Sequence, residues 1–149
     1  MKIMLPVDGS AAALAAVQHA LVLRRTGLAA TYVLVNVQEP PSLYEAVLTH
    51  DADQLHALRA AAGADLIATA EALLQGAGAE WETEVAGGEP ATLLVELLEN
   101  YRCDAVVMGA RGMGAEAGDG GLGSVAEALL RHSPVPVTVV RAAEAPATL

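Results

Sequence analysis

The sequence predicts a single α/β domain: a doubly wound, five-stranded parallel sheet with helices on both faces. Two observations lead there. Short apolar runs alternate with segments of helical period along the whole chain, and no two apolar runs are joined by a hairpin signal. Parallel neighbours therefore need helical, right-handed crossovers, which cover the sheet on both sides.

The first run, Ile3 to Val7, ends in Asp8-Gly9-Ser10 and reads as a short strand and a turn. Ser10 is a natural N-cap for a helix whose Leu14, Val17 and Leu21 repeat at three- and four-residue spacing, and Arg24, Arg25 and Gly27 are its stop signal. Tyr32 to Val37 is apolar on both faces apart from Asn36, as in a strand covered on both sides, and Pro40-Pro41 ends it. A helical pattern with Leu55, Leu58, Ala62, Leu66 and Leu73 runs from Leu43 to about Gln75 and closes at Gly76 and Gly78.

Trp81 to Val85 alternates and predicts a third strand. After Gly87-Gly88, Pro90 falls in the first turn of a helix carrying Leu94, Leu97, Leu98 and Tyr101. Ala105 to Met108 is the fourth strand, and a glycine-dense loop spans Gly109 to Gly123. Ser124 opens a helix through about Arg131, and Val135 to Val140 is the fifth strand. The domain expected is 1–141, with 142–149 a flexible tail.

The predicted strand order is 3-2-1-4-5. In such a sheet the ligand crevice lies where the order reverses, at the carboxyl ends of strands one and four. Those ends are Asp8-Gly9 and Gly109 to Gly112.

Composition excludes several partners. The 149 residues carry 18 acidic against 8 basic side chains, a net charge of −10 that repels phosphate backbones and anionic lipid. Neither nucleic acid nor a membrane is an expected partner. The start is broken by Pro6 and Asp8 before a signal-peptide apolar region forms, and uncharged runs fall short of a spanning helix. Cys103 is the only cysteine, which leaves no disulfide or thiolate cluster and fits a reducing compartment. A cytoplasmic protein is expected.

The strongest chemical signal is Met108-Gly109-Ala110-Arg111-Gly112 leaving a strand, followed by Gly123-Ser124-Val125 at the start of a helix. Glycines let backbone amides approach an anion, and a helix amino end adds partial positive charge. The Ser124 hydroxyl and the Arg111 guanidinium can then reach phosphate oxygens. The competing reading is a capping box, Ser124-Val125-Ala126-Glu127, in which Ser124 serves its own helix. Asp8 likewise has two readings, a polar anchor for a ribose or base and a turn residue bonding its own backbone.

These segments resemble the universal stress protein family, which carries Gly-x2-Gly-x9-Gly-Ser/Thr at this place. The likeness extends over nearly the whole chain. Its other pieces are Leu5-Pro6-Val7-Asp8-Gly9-Ser10, Val35-Asn36-Val37 and Arg131-His132-Ser133-Pro134-Val135-Pro136-Val137. The resemblance implies a Rossmann-like fold of the adenine nucleotide alpha hydrolase type. It also implies ATP, with or without Mg²⁺: Pro6, Val7, Asp8 and Val37 around adenine and ribose, and Met108, Gly109, Gly112, Gly123, Ser124 and Val125 around the phosphates. A homodimer through the edge strand Val137 to Val140 is implied as well, and the flanking prolines suit an edge.

The chain departs from the family pattern in one segment. Met113 to Leu122 puts ten residues between Gly112 and Gly123 where the pattern has nine, and Glu116 and Asp119 bring acid close to the phosphates. An added loop residue costs little. The acids either repel a triphosphate or help hold Mg²⁺ against it.

Other chemistries find less support. Gly118 to Ser124 has P-loop spacing without the phosphate-binding Lys, and Gly109 to Gly114 has the wrong glycine order for a dinucleotide fingerprint. His50, Asp53 and His56 form a helical stripe that suits a metal or an ordinary solvated face. No nucleophile, base and orienting acid assemble, so no enzymatic activity beyond slow ATP hydrolysis is expected. The functional expectation is a nucleotide-binding regulatory protein of the stress response acting as a dimeric switch. The alternative is a dimeric interaction protein of the same family that binds no nucleotide.

Overall fold

The computed structural model describes residues 1–38, 64–65, 67–111 and 121–142. The elements are β1 (Lys2–Pro6), α1 (Ala11–Arg25), β2 (Thr31–Gln38), β3 (Trp81–Gly87), α2 (Pro90–Asn100), β4 (Ala105–Gly109), α3 (Ser124–His132) and β5 (Val137–Val140). Residues 67–76 are also helical. The sheet is parallel throughout and ordered β3-β2-β1-β4-β5, as the alternation predicts.

The period-two alternation of β2 divides the core. Tyr32 and Leu34 face Ala13, Ala16, Val17 and Ala20 of α1 and Ile67, Ala70 and Leu74 of helical residues 67–76. Val33 and Val35 face Leu94, Leu97 and Leu98 of α2 and Ala126 and Leu129 of α3. Leu34, Leu74 and Leu98 are fully buried, each worth about 2 kcal/mol in removed apolar surface.

Local chemistry sets the helix ends. Ser10 caps α1, its Oγ accepting the Ala13 amide at 3.1 Å, and Gly27 at φ +115° turns the chain out of the helix. Pro90 is the first residue of α2, and Glu89 before it accepts the amides of Ala91 at 3.2 Å and Thr92 at 2.7 Å. At the far end of β4, a Cβ on Gly109 would stand 2.7 Å from the carbonyl carbon of Ala12 and 2.8 Å from the Ala13 amide nitrogen. Glycine is what lets the first turn of α1 rest directly on that strand.

The structure corrects some boundaries. β5 begins at Val137 rather than Val135, because the Ser133 hydroxyl donates to the Val135 carbonyl at 2.8 Å and accepts the Val135 amide at 3.1 Å. That turn takes the groups a strand would use. β3 continues to Gly87, its ladder with β2 extending to the pair Gln38 and Gly87. Most of the helix predicted from Leu43, including Leu55, Leu58, Ala62 and Leu66, and most of the predicted tail lie outside the described residues. Among the described residues no helix is long and apolar enough to cross a membrane.

Candidate functional site

A cavity of about 530 Å³ opens at the carboxyl ends of β1, β2 and β4, within the size range of small-molecule sites. Pro6, Val7, Asp8, Val37, Met108, Gly109, Arg111, Gly123, Ser124 and Val125 all line it. Gly112 lies outside the described residues, as do Glu116, Asp119 and the His50, Asp53, His56 stripe. Among the described residues no group of three His, Cys, Asp or Glu is placed to hold a metal.

The lining also includes residues that sequence reasoning missed: Ser10 and Ala13 of the first strand–helix junction, Val35, Ala110 and Ala126, and Pro90 and Leu94 of α2. Pro90 and Leu94 are four apart at the start of a helix that follows a parallel strand, so their place on the carboxyl side was legible. That α2 reaches the switch point was not, because it depends on how the helix packs.

The contributions of β2 and α2 are apolar: Val35, Val37, Pro90 and Leu94. They form a wall suited to a flat, weakly polar ring. Behind it, buried Asn36 donates its side-chain amide to the Val7 carbonyl at 2.8 Å, and the Val7 amide donates to the Val35 carbonyl at 2.8 Å. These bonds fix the chain just before Asp8. The Asp8 carboxylate accepts the Ser10 amide at 2.9 Å across Gly9, whose φ is +85°. Asp8 therefore makes its turn and still lies on the cavity wall.

The amino ends of α1, α2 and α3 all border the cavity. Each exposes amides without helical acceptors, the usual origin of an anion site. The Ser10 hydroxyl serves α1 and the Glu89 carboxylate serves α2. The N-cap of α3 is Gly123, with no side-chain cap bond. Ser124, Val125 and Ala126 line the cavity, and among the described residues no side-chain cap bond is made at the amino end of α3.

The capping-box reading of Ser124 is accordingly corrected. The Gly123 carbonyl accepts the Glu127 amide at 3.0 Å, which starts the helix one residue earlier and makes Ser124 its first residue. A side chain at that position no longer reaches back to cap the helix, and Ser124 is exposed. Arg111 is the one cationic side chain among the described lining residues, and its Nε donates to the Gly121 carbonyl at 2.8 Å. Cys103 lies in the core outside this lining, and desolvation pushes its thiol above the ordinary range, which disfavours the thiolate.

Residues 1–141 match the sequence profile of the Universal stress protein family. The chain is 30% identical over 141 residues to the universal stress protein MJ0531 of Methanocaldococcus jannaschii, covering 94% of this chain and 81% of that protein. Among solved structures it resembles a universal stress protein in complex with cAMP, at 25% identity and a TM-score of 0.68, over 96% of this chain and 98% of the other. It also shares its fold with a universal stress protein family protein from Arabidopsis thaliana with AMP bound. That likeness has 18% identity and a TM-score of 0.71, over 96% and 92% of the two chains.

Proposed function

The chain belongs to the universal stress protein family, and from that premise we propose that it is a regulatory protein that binds an adenine nucleotide at the β1–β4 switch point. The observation that carries the reading is the amino end of α3, which among the described residues is the one of three bordering the cavity without a side-chain cap bond. Phosphate is the natural occupant of such an end, and the apolar wall of Val35, Val37, Pro90 and Leu94 beside it suits a purine. Relatives with cAMP and with AMP bound support the ligand class.

In this reading Pro6, Val7 and Val37 border the base and Asp8 accepts a hydrogen bond from the ribose. The Ser124 hydroxyl and the amides of Ser124 to Ala126 hold phosphate, with Met108, Gly109, Gly112 and Gly123 alongside. ATP is the ligand proposed, with any Mg²⁺ arriving on its phosphates rather than held in a protein cage. No catalytic step is assigned to the residues. A cytoplasmic homodimer completes the proposal: among the described residues β5 pairs with β4 on one side only, its Thr138 is exposed, and pairing of two such edges would let occupancy of one site be read by the mate.

A second reading, a dimeric interaction protein that binds no nucleotide, draws on Arg111. The cationic side chain nearest the cradle commits its Nε to a backbone carbonyl. Calorimetric titration with Mg-ATP, AMP and cAMP, on the native chain and on Gly123→Val, separates the two. Saturable binding that the variant abolishes supports the nucleotide reading. No heat at millimolar nucleotide removes it, and a monomer in sedimentation velocity removes the dimer.

A further inference from the structure

Two hydrogen bonds join the chain leaving β4 to the chain entering α3. The Gly123 amide donates to the Ala110 carbonyl at 2.7 Å, and one step farther from the sheet Arg111 Nε donates to the Gly121 carbonyl at 2.8 Å. A third contact, from the Ser10 hydroxyl to the Arg111 carbonyl at 3.4 Å, sets this neck against the N-cap of α1. The Ser10 amide is in turn held by Asp8 at 2.9 Å. A continuous chain of contacts thus runs from the Asp8 turn to the amino end of α3.

We propose that Arg111 is a positioning residue: its Nε clasps Gly121, fixing the amino end of α3 relative to the Asp8 turn whatever the number of residues between 111 and 121. A guanidinium suits this task, since its Nε–H is held in the plane of a rigid fork and its charge strengthens the bond to a carbonyl. Lysine carries a charge of the same sign but has no donor at that point of the side chain. The clasp accounts for how a glycine loop one residue longer than the family pattern keeps Gly123 bonded to Ala110. It also gives Arg111 a role other than direct contact with phosphate.

The effect on ligand affinity rests on the nucleotide reading, whereas the clasp itself does not. The test begins with amide exchange by NMR on the ligand-free full chain and on Arg111→Ala and Arg111→Lys, with the β2 amides as a control for folding. Exchange at the Gly123 amide is expected to rise at least about threefold, equivalent to about 0.65 kcal/mol, in both variants while β2 is unchanged. No rise in Arg111→Ala overturns the proposal irrespective of any ligand. AMP, ADP and ATP are then titrated. A loss of affinity by the same factor for all three, not rescued by Arg111→Lys, upholds the positioning role; a loss that grows with phosphate number and is rescued by lysine makes Arg111 a phosphate ligand and overturns it. If the native chain binds none of the three, the nucleotide reading fails and the exchange result alone decides the clasp.

Discussion

The side-chain amide of Asn36 donates to the carbonyl of Val7 at 2.8 Å, joining β2 to the residue before the Asp8 turn. Asn36 is only 2% exposed, and its Oδ1 accepts from Gln38 Nε2 at 3.2 Å. Its place in an otherwise apolar run is explained by that carbonyl, which has gone past the end of β1.

Asn36→Ala leaves the Val7 carbonyl buried without this donor, and the expected cost is about 1–3 kcal/mol in urea unfolding. Nucleotide affinity should fall as well, since Val7 and Asp8 are no longer fixed. A variant as stable as the native chain would show that the bond is replaced by water.

Gly109→Ala drives a methyl group into the backbone of Ala12 and Ala13, where contacts of 2.7 and 2.8 Å leave no room. Overpacking of this kind costs about 1–3 kcal/mol. A lower thermal midpoint without any ligand present is the expected result. An unchanged midpoint would mean that α1 slides freely on β4.

Gly123→Asp should separate stability from binding. A carboxylate at the N-cap can accept α3 amides that the native glycine cannot cap, so the helix gains a few tenths of a kcal/mol over glycine. The same carboxylate would occupy and repel the phosphate position of the proposed nucleotide site. Calorimetry should show nucleotide binding weakened together with an equal or higher unfolding midpoint.

Tyr32 is 1% exposed and its hydroxyl has no hydrogen-bond partner among the described residues. An unsatisfied buried hydroxyl costs about 1–3 kcal/mol. Tyr32→Phe should therefore be neutral or stabilising in chemical denaturation, and a clear destabilisation would point to a bound water.

The carboxyl of Glu89 is held below its usual range, first by the Thr92 side chain, then by the Thr92 amide, with the Ala91 amide also contributing and burial opposing. A depressed folded pKa means that the contribution to stability is present above the unfolded pKa and lost as pH falls through the folded one. The difference in unfolding midpoint between the native chain and Glu89→Ala should narrow across that acidic interval and stay constant at neutral pH. A difference independent of pH would remove Glu89 as an ionised cap.

Features governed by local interactions are legible in the sequence. Ser10 caps its helix because an N-cap bond reaches only three residues ahead, to Ala13. Pro90 begins α2 because it needs no donor there. Ser124 opens α3 as its pattern predicts, but the capping-box alternative does not hold, because the Gly123 carbonyl accepts the Glu127 amide and makes Gly123 the N-cap. Glu89 caps α2 although glutamate is not among the usual N-cap residues, so only the structure shows its role.

By itself the sequence determined the strand–helix alternation, the parallel order and hence the end of the sheet where a ligand site must lie, because periodicity, crossovers and handedness follow from neighbours along the chain. The tertiary structure alone decided that Gly109 is small for the sake of α1, that Arg111 turns to Gly121, and that Ser10 meets a carbonyl 101 residues away. Among the described residues, only the fold also brings three helix ends to one cavity, a single one of them without a side-chain cap bond. Those outcomes are set by which surfaces pack together, and distances through space are not written in the order of residues.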